Sequence, residues 1–387
     1  MVRAAVRILY TAVDTPIPGT HGGSVHALEL CRALSAIDHE VHLIAPPGEH
    51  ASPRESGLFR HRISRPPRFL EWSCDDLVRS IAERVKPDVI VDRFYTFGGA
   101  GIRAARRLGI PSVLEVNSPA RPYPGSWRDQ LDRLSVVRPI DRWRRRLLEW
   151  SDAIYTTSAH LVPPDMQPLV TVVTNGVDID RFCPGPVSDG PLRCVYASSF
   201  RSWHGAEDLV EAVRECVSRG VELHVTCLGD GPRSAAARRS ADRAGLSDTI
   251  TFVGRVPFSD VPGYLADADV GLAPFNPTAF PALQLGWFWS PIKIFEYLAS
   301  GLTVVTIGID ELQSLLPGSV ARFYDAADIQ GLADVLEALA SRPDVIRQAR
   351  EESRQLAKSR YSWHQQARAV EGVLTAVSAG RVTSSRR

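Results

Sequence analysis

Ser290-Pro291-Ile292-Lys293-Ile294-Phe295-Glu296-Tyr297-Leu298-Ala299-Ser300-Gly301 runs directly into the apolar stretch Leu302–Ile307. Ser290 before Pro291 predicts an N-cap followed by the first helical residue. Gly301 predicts the end of that helix after about three turns. A helix feeding an apolar strand is the repeating unit of a doubly wound parallel sheet. The helix start also offers chemistry. Its free N–H groups and positive dipole end suit a phosphate. Lys293 adds a full charge one turn in, and Glu296 on the next turn is placed to hold a pair of sugar hydroxyls. Taken alone, the same residues equally suit an ordinary amphipathic crossover helix with a surface Lys and Glu.

Outward from this stretch, strands and helices alternate along the chain. Strands are expected at Val6–Val13, Glu40–Ala45, Asp88–Asp92, Ser112–Val116, Ala153–Thr157 and Val170–Thr174, then at Leu192–Ala197, Glu222–Leu228, Thr249–Gly254, Ala268–Ala273 and Leu302–Ile307. Gly22 and Gly23 open a helix to about Ala36, and a long Arg-rich helix is expected around Asp129–Trp150. Between Cys183 and Pro191, five of nine residues are Pro or Gly, which predicts a linker. The expected organisation is a Rossmann-like domain over 1–183, a linker over 184–191 and a second Rossmann-like domain over 192–360. A helix over 361–380 can cross back to the first domain, and a disordered tail follows over 381–387. Two such domains facing one another make a cleft at the carboxyl ends of both sheets, where such folds bind ligands. The expectation is an α/β enzyme with one substrate held by each domain.

Composition narrows the class. A chain of 387 residues suits two domains, and 44% hydrophobic content is that of a folded globular protein. A net charge of +1 argues against a nucleic-acid binder. Only three of the 45 basic residues are lysine, a usage that reflects GC-rich coding rather than a phosphate-binding surface. The six cysteines lack any metal-ligand or redox spacing and fit reduced core positions in a cytoplasmic protein. No apolar run reaches the length of a membrane span, and Val6–Val13 reads as a first strand rather than a signal peptide.

Several loops converge on the expected cleft. Gly22-Gly23 follows the first strand and lets a ligand approach the backbone at a helix start. The G-x-G-x-x-G dinucleotide spacing is absent, which disfavours an NAD-dependent dehydrogenase. Gly229-Asp230-Gly231-Pro232 ends a strand of the second domain and enters a helix, a placement suited to a nucleotide or to a tight turn. Gly254-Arg255-Val256 ends the next strand, where backbone groups can pair with a base edge. Asp267 and Asp269 spell D-x-D, but turn and capping roles at a strand start suffice for them, and no metal site is expected.

Taken in order, these pieces resemble the retaining glycosyltransferases of family four, which have the GT-B fold. Asp38-His39-Glu40-Val41 resembles the family's GHEV stretch. Asn175-Gly176-Val177-Asp178, with Phe182 and Pro184, resembles its NGVD-x3-F-x-P signature. Trp203-His204-Gly205 stands where the family has Lys-Gly, and Ser290 to Gly301 resembles its sugar-nucleotide helix. The resemblance implies that Glu296 holds the ribose of a nucleoside-diphosphate sugar. It implies that Ser290, Ile292 and Ile294 cradle the diphosphate with Lys293, and that Gly229, Gly231, Gly254, Arg255 and Val256 line the nucleotide. Gly22 and Gly23 approach the donor phosphate from the first domain. Departures stand out: the first Glu of the family's E-x7-E falls on Phe288. Its Arg-x4-Lys clamp falls on Ser199 and His204 with Arg201 nearby, and its fourth-strand His falls on Asn117. Arg201, Lys293 and Asn117 are the expected catalytic residues. An inactive relative is the alternative that these departures raise.

The reaction so implied is metal- and cofactor-independent transfer of a hexose from UDP-glucose or UDP-N-acetylglucosamine with retention. The chain is similar to the actinomycete enzymes that glycosylate 2-deoxystreptamine in aminoglycoside antibiotic biosynthesis. Asp14 and Glu115 are the carboxylates expected to attract such a cationic, small polar acceptor, with no obligate membrane. The competing expectation is a lipid or polysaccharide acceptor at a membrane surface, docked through the basic run Arg142-Trp143-Arg144-Arg145-Arg146.

Overall fold

The computed structural model describes residues 5–19, 22–48, 57–65, 71–95, 98–134, 139–186 and 190–380. The expected tail over 381–387 and the middle of the expected linker lie outside the described residues. The chain forms two compact units. Unit 1 comprises residues 1–176, 284–290 and 363–387, and unit 2 comprises 177–283 and 291–362.

Unit 1 is built on seven parallel strands: β1 (Arg7–Thr11), β2 (Glu40–Ala45), β3 (Leu58–Arg62), β4 (Val89–Arg93), β5 (Ser112–Val116), β6 (Ala153–Thr156) and β7 (Val170–Val172). Their order is β3-β2-β1-β4-β5-β6-β7. Unit 2 has six parallel strands: β8 (Leu192–Ala197), β9 (Leu223–Leu228), β10 (Ile250–Gly254), β11 (Val270–Ala273), β12 (Thr303–Ile307) and β13 (Ala321–Tyr324), in the order β10-β9-β8-β11-β12-β13. Central strands such as β4, β5 and β12 are buried at every residue, as a sheet covered on both faces requires. The expected alternation is therefore what the chain forms.

Two strands were not legible. Both β3 and β13 lie at sheet edges. The β3 sequence Leu-Phe-Arg-His-Arg has little apolar patterning because an edge strand is partly solvated. The expected helix over Asp129–Trp150 is two helices, Trp127–Arg133 and Pro139–Trp150. Pro139 starts the second, where its missing N–H is harmless. Asp132 accepts hydrogen bonds from the N–H groups of Ile140 and Asp141 at that start, each at 2.9 Å.

The chain first leaves unit 1 after Gly176, ahead of the Pro/Gly-rich stretch. The crossing is tight, since a Cβ on Gly176 would fall 2.6 Å from the Trp363 ring. The last helix, Trp363–Ser378, packs into the unit 1 core with Trp363, Val370, Leu374 and Val377 against residues of β1 and the helix Gly22–Ala36. His39 joins it there: its Nδ1 accepts from the Val6 N–H at 3.1 Å, and its Nε2 lies 3.4 Å from Glu371.

In unit 2, one tyrosine fixes the helix Ile292–Ala299 against the sheet. Tyr297 packs over Gly271 of β11, where a Cβ would fall 2.3 Å from the ring. Its hydroxyl accepts from the Ala197 N–H at 2.9 Å and donates to the Leu272 carbonyl at 3.3 Å, linking β8 and β11. Tyr297→Phe removes a partner from a half-buried N–H and a buried carbonyl, so thermal or urea unfolding is expected to show a loss of about 1–3 kcal/mol. Unchanged stability would show that these groups find other partners.

Candidate functional site

In each sheet the strand order reverses at one point, between β1 and β4 in unit 1 and between β8 and β11 in unit 2. Loops leaving the carboxyl ends of such strands diverge and open a crevice. Each unit carries a buried polar cluster, at the β8 exit and the helix leading into β12 in unit 2, and among β1, β4, β5 and β6 in unit 1.

The unit 2 cluster is built around the start of the helix Ile292–Ala299. That helix has no side-chain cap. Ser290 does not supply one, contrary to its expected N-cap role, because its hydroxyl accepts from the Asn175 N–H at 2.8 Å within unit 1. The Ile294 N–H donates to the Pro291 carbonyl at 3.0 Å, so the N–H groups of Ile292 and Lys293 are the ones left for an anion. The helix is shorter than expected, and Gly301 ends it in the left-handed conformation at φ +74°. Ile294 is buried and Ile292 half-buried.

Lys293 lies at this helix start. Its Nζ is out of contact with solvent and has no hydrogen-bond acceptor among the described residues. It stands 5.4 Å from the ring centroids of both Tyr196 and Phe275. Burial lowers its pKa to about 7, against an upward pull from Glu296. Glu296 is itself buried, and burial raises its pKa to about 7 while Lys293 and Arg181 draw it down.

His204 completes the cluster with a defined tautomer. Its Nδ1 accepts from the Arg201 N–H at 3.4 Å and lies 2.7 Å from Ser198 Oγ, which in turn accepts from the Phe200 N–H at 3.0 Å. Backbone N–H groups only donate, so the His204 proton belongs on Nε2, leaving a neutral N–H donor. Burial, then the charges of Lys293 and Arg201, lower its pKa to about 2. Arg201 is exposed. Ser198, Tyr196 and Phe275 were not expected from sequence. Ser198 and Tyr196 belong to β8 and its exit, and no spacing marks them as neighbours of Lys293.

The glycines of the neighbouring loop have a packing reason. A Cβ on Gly229 would fall 1.8 Å from the Ser198 carbonyl oxygen, and one on Gly231 would fall 1.9 Å from that of Ser199. They let the β9 exit lie on the β8 exit. Gly254 has φ +85°, and its carbonyl accepts from the Gly229 N–H at 2.7 Å. Arg255 is exposed and Val256 half-buried. Asp269 is spent on Arg193, at 2.9 Å. Among the described residues, no group of three metal-ligating side chains occurs.

The unit 1 cluster corrects the expected part of Glu115. This carboxylate is fully buried and saturated. It accepts from the Tyr10 and Tyr155 hydroxyls at 2.5 Å each, from Arg93 Nη1 at 2.6 Å and from Asn117 Nδ2, and His26 Nε2 lies at 3.0 Å. Burial pushes its carboxyl up, but the charges of His26 and Arg93 outweigh this and hold it well below the usual carboxylate range. A carboxylate so neutralised has no field left for an acceptor ammonium, and Asn117 is turned onto it. Asp14 is half-buried, accepts from the Thr15 hydroxyl at 2.7 Å, and its charge reinforces Arg93. Gly22 and Gly23 open the helix Gly22–Ala36. Phe288 is buried, its ring 6.2 Å from that of Trp289.

The same cluster reaches the crossing segments. His26 Nδ1 lies 2.5 Å from Asn175 Oδ1, and Asn175 Nδ2 donates to the Ser290 carbonyl at 2.5 Å. The basic run is only partly a free surface, with Arg142 and Arg146 exposed. Arg144 is fully buried and donates to the Ala120 carbonyl at 2.7 Å, while Arg145 pairs with Asp165 at 2.6 Å and Glu149 at 2.9 Å.

Two doubly wound parallel α/β units of seven and six strands, together with similar solved structures, give the chain the GT-B fold. Residues 20–181 match the family model Glycosyltransferase Family 4, and residues 191–342 match Glycosyl transferases group 1. It is 28% identical over 267 residues to a putative colanic acid biosynthesis glycosyltransferase of Salmonella typhimurium, a match covering 63% of this chain and 61% of that protein. It is 26% identical over 193 residues to the 2-deoxystreptamine glucosyltransferase of Streptomyces kanamyceticus, covering 45% and 49% of the two chains. It is 24% identical over 355 residues to the phosphatidyl-myo-inositol mannosyltransferase of Mycolicibacterium smegmatis, covering 83% and 81%. The chain thus spans about three fifths of the first of these relatives. Among solved structures, Anabaena HepE in complex with UDP superposes with a TM-score of 0.74 at 15% identity, over 96% of this chain and 100% of that one. No helix among the described residues is long and apolar enough to cross a membrane.

Glu115→Gln leaves Arg93 buried without its counter-charge, and a loss of about 3–5 kcal/mol in unfolding free energy at pH 7 is expected. A carboxyl held low in the folded state contributes stability above its unfolded pKa and loses it as pH falls through the folded value. The gap between wild type and variant should therefore narrow only below the ordinary carboxylate range. A gap that narrows already between pH 7 and 5 would contradict the assignment.

Proposed function

We propose that the protein is a hexosyltransferase that moves glucose or N-acetylglucosamine from a UDP-sugar to a hydroxyl of a small polar acceptor, with retention. The observation that carries this reading is the uncapped helix start at Ile292, flanked by the Nζ of Lys293 and the Nε2–H of His204, with buried Glu296 one turn on. Such a start accepts a diphosphate, and the carboxylate is placed for vicinal hydroxyls. The bond from the sugar anomeric carbon to the β-phosphate oxygen breaks, and the acceptor oxygen bonds to that carbon. The acceptor proton passes to the departing diphosphate. Charge builds on that leaving group, where helix N–H groups, His204, Lys293 and Arg201 stabilise it. No metal or cofactor takes part.

The likeness to a 2-deoxystreptamine glucosyltransferase supports an aminocyclitol acceptor in antibiotic assembly. Since Glu115 is neutralised, Asp14 is the carboxylate left to attract it. One observation favours a second reading, a lipid acceptor at a membrane surface. Trp127, Leu131 and Leu134 fall at helical spacing and are 45%, 44% and 86% exposed. Mass spectrometry of products from UDP-sugars with soluble 2-deoxystreptamine, and separately with anionic vesicles carrying a lipid acceptor, decides between them. Leu134→Asp should leave the first reaction intact and impair the second.

Glu296→Ala is expected to weaken UDP binding by about 1.5–3 kcal/mol, the range of hydrogen bonds to a charged group. Calorimetry on the folded variant checks this, and wild-type UDP affinity would remove Glu296 from the donor site.

A further inference from the structure

We propose that Lys293 is uncharged in the unliganded protein above neutral pH and takes up a proton when a nucleoside diphosphate enters, so that the ligand itself induces the positive charge that holds it. This rests on the donor site proposed above and adds how that site is charged.

The geometry leads there directly. An ammonium carries three N–H donors, and a buried one without acceptors is costly. Lys293 Nζ is withdrawn from solvent and bonds to no carboxylate, carbonyl or hydroxyl among the described residues. The two ring faces of Tyr196 and Phe275 offer only the weaker cation–π attraction. The groups that face it are few. Glu296 lies on its own helix and favours the charged form, although Glu296 is itself drawn upward by burial and is also under the field of Arg181. The β8 exit brings His204, held neutral with its proton on Nε2, and the cation Arg201. Neither supplies a negative charge. The lysine pKa near 7 agrees with this setting.

A diphosphate changes the balance. Its oxygens give the Nζ acceptors, and its negative charge returns the amine toward its ordinary range above 10. The Nζ lone pair binds a proton delivered by water from the buffer. At pH 8, above that pKa, the amine is mostly unprotonated before binding. The greater part of a proton is therefore taken up per ligand.

The test is calorimetric titration of the full chain with UDP at pH 8 in Tris and in HEPES, whose ionisation enthalpies differ. At that pH the terminal phosphate, with a second pKa of about 6, is already ionised, so uptake reports the protein. The expected result is an apparent enthalpy that shifts between buffers in the direction of proton uptake, by more than half a proton but not more than about one. Affinity should fall several-fold, toward tenfold, between pH 8 and pH 9. Lys293→Arg, permanently charged, should bind UDP with no buffer dependence. Lys293→Met should lose the buffer dependence and at least tenfold in affinity. Tight UDP binding by wild type without buffer dependence would overturn the inference while leaving the donor site standing. So would buffer dependence that survives in Lys293→Met. Absence of UDP binding by folded wild type would instead overturn the donor-site reading and this inference with it.

Discussion

Parallel strand pairing is the constraint on which everything else hangs. It sends every strand exit to the same edge of its sheet and every return through a helix. In each unit the order reverses once; the unit 2 cluster lies at the β8 exit beside that reversal, and the unit 1 cluster spans β1, β4, β5 and β6. In unit 2 the β8 exit brings Ser198, Arg201 and His204, while the helix leading into β12 brings Lys293 and Glu296. Close backbone approach makes this possible. Gly229 and Gly231 lie against the carbonyls of Ser198 and Ser199, and Gly271 leaves the room that Tyr297 fills.

The two clusters show opposite uses of burial. Glu115 is deeply buried and surrounded by donors, so its charge is fixed and its task is to organise Tyr10, Arg93, Tyr155 and Asn117. Lys293 is buried beside aromatic faces without an acceptor, so its charge is left open. Satisfied buried charge gives rigidity, whereas unsatisfied buried charge gives sensitivity to what arrives. On the β8 exit, His204 is a neutral N–H donor oriented by Ser198, and the neighbouring buried amine comes from the helix Ile292–Ala299.

Much of the architecture was legible because buried parallel strands leave continuous apolar runs, as in Ser112–Val116 and Thr303–Ile307. Edge strands β3 and β13 leave no such run. The helix Ile292–Ala299 and its terminating glycine were legible from local spacing. The fate of Ser290 was not, because its partner Asn175 lies 115 residues earlier. Glu115 was read as a free carboxylate for the same reason: Tyr10 lies 105 residues before it and Tyr155 lies 40 after. Sequence reports residue type and local period, while charge compensation is settled by distant neighbours.

The placement of the helix Trp363–Ser378 bears on how the chain acquires its structure during synthesis. Its apolar face closes the core around β1 and the helix Gly22–Ala36, yet more than 300 residues separate these partners along the chain. Unit 1 begins first and is completed last. All of unit 2 is made before that core can be sealed, so the earlier-made unit waits with apolar surface uncovered while the later-made one has all its strands. The order of completion runs opposite to the order of emergence.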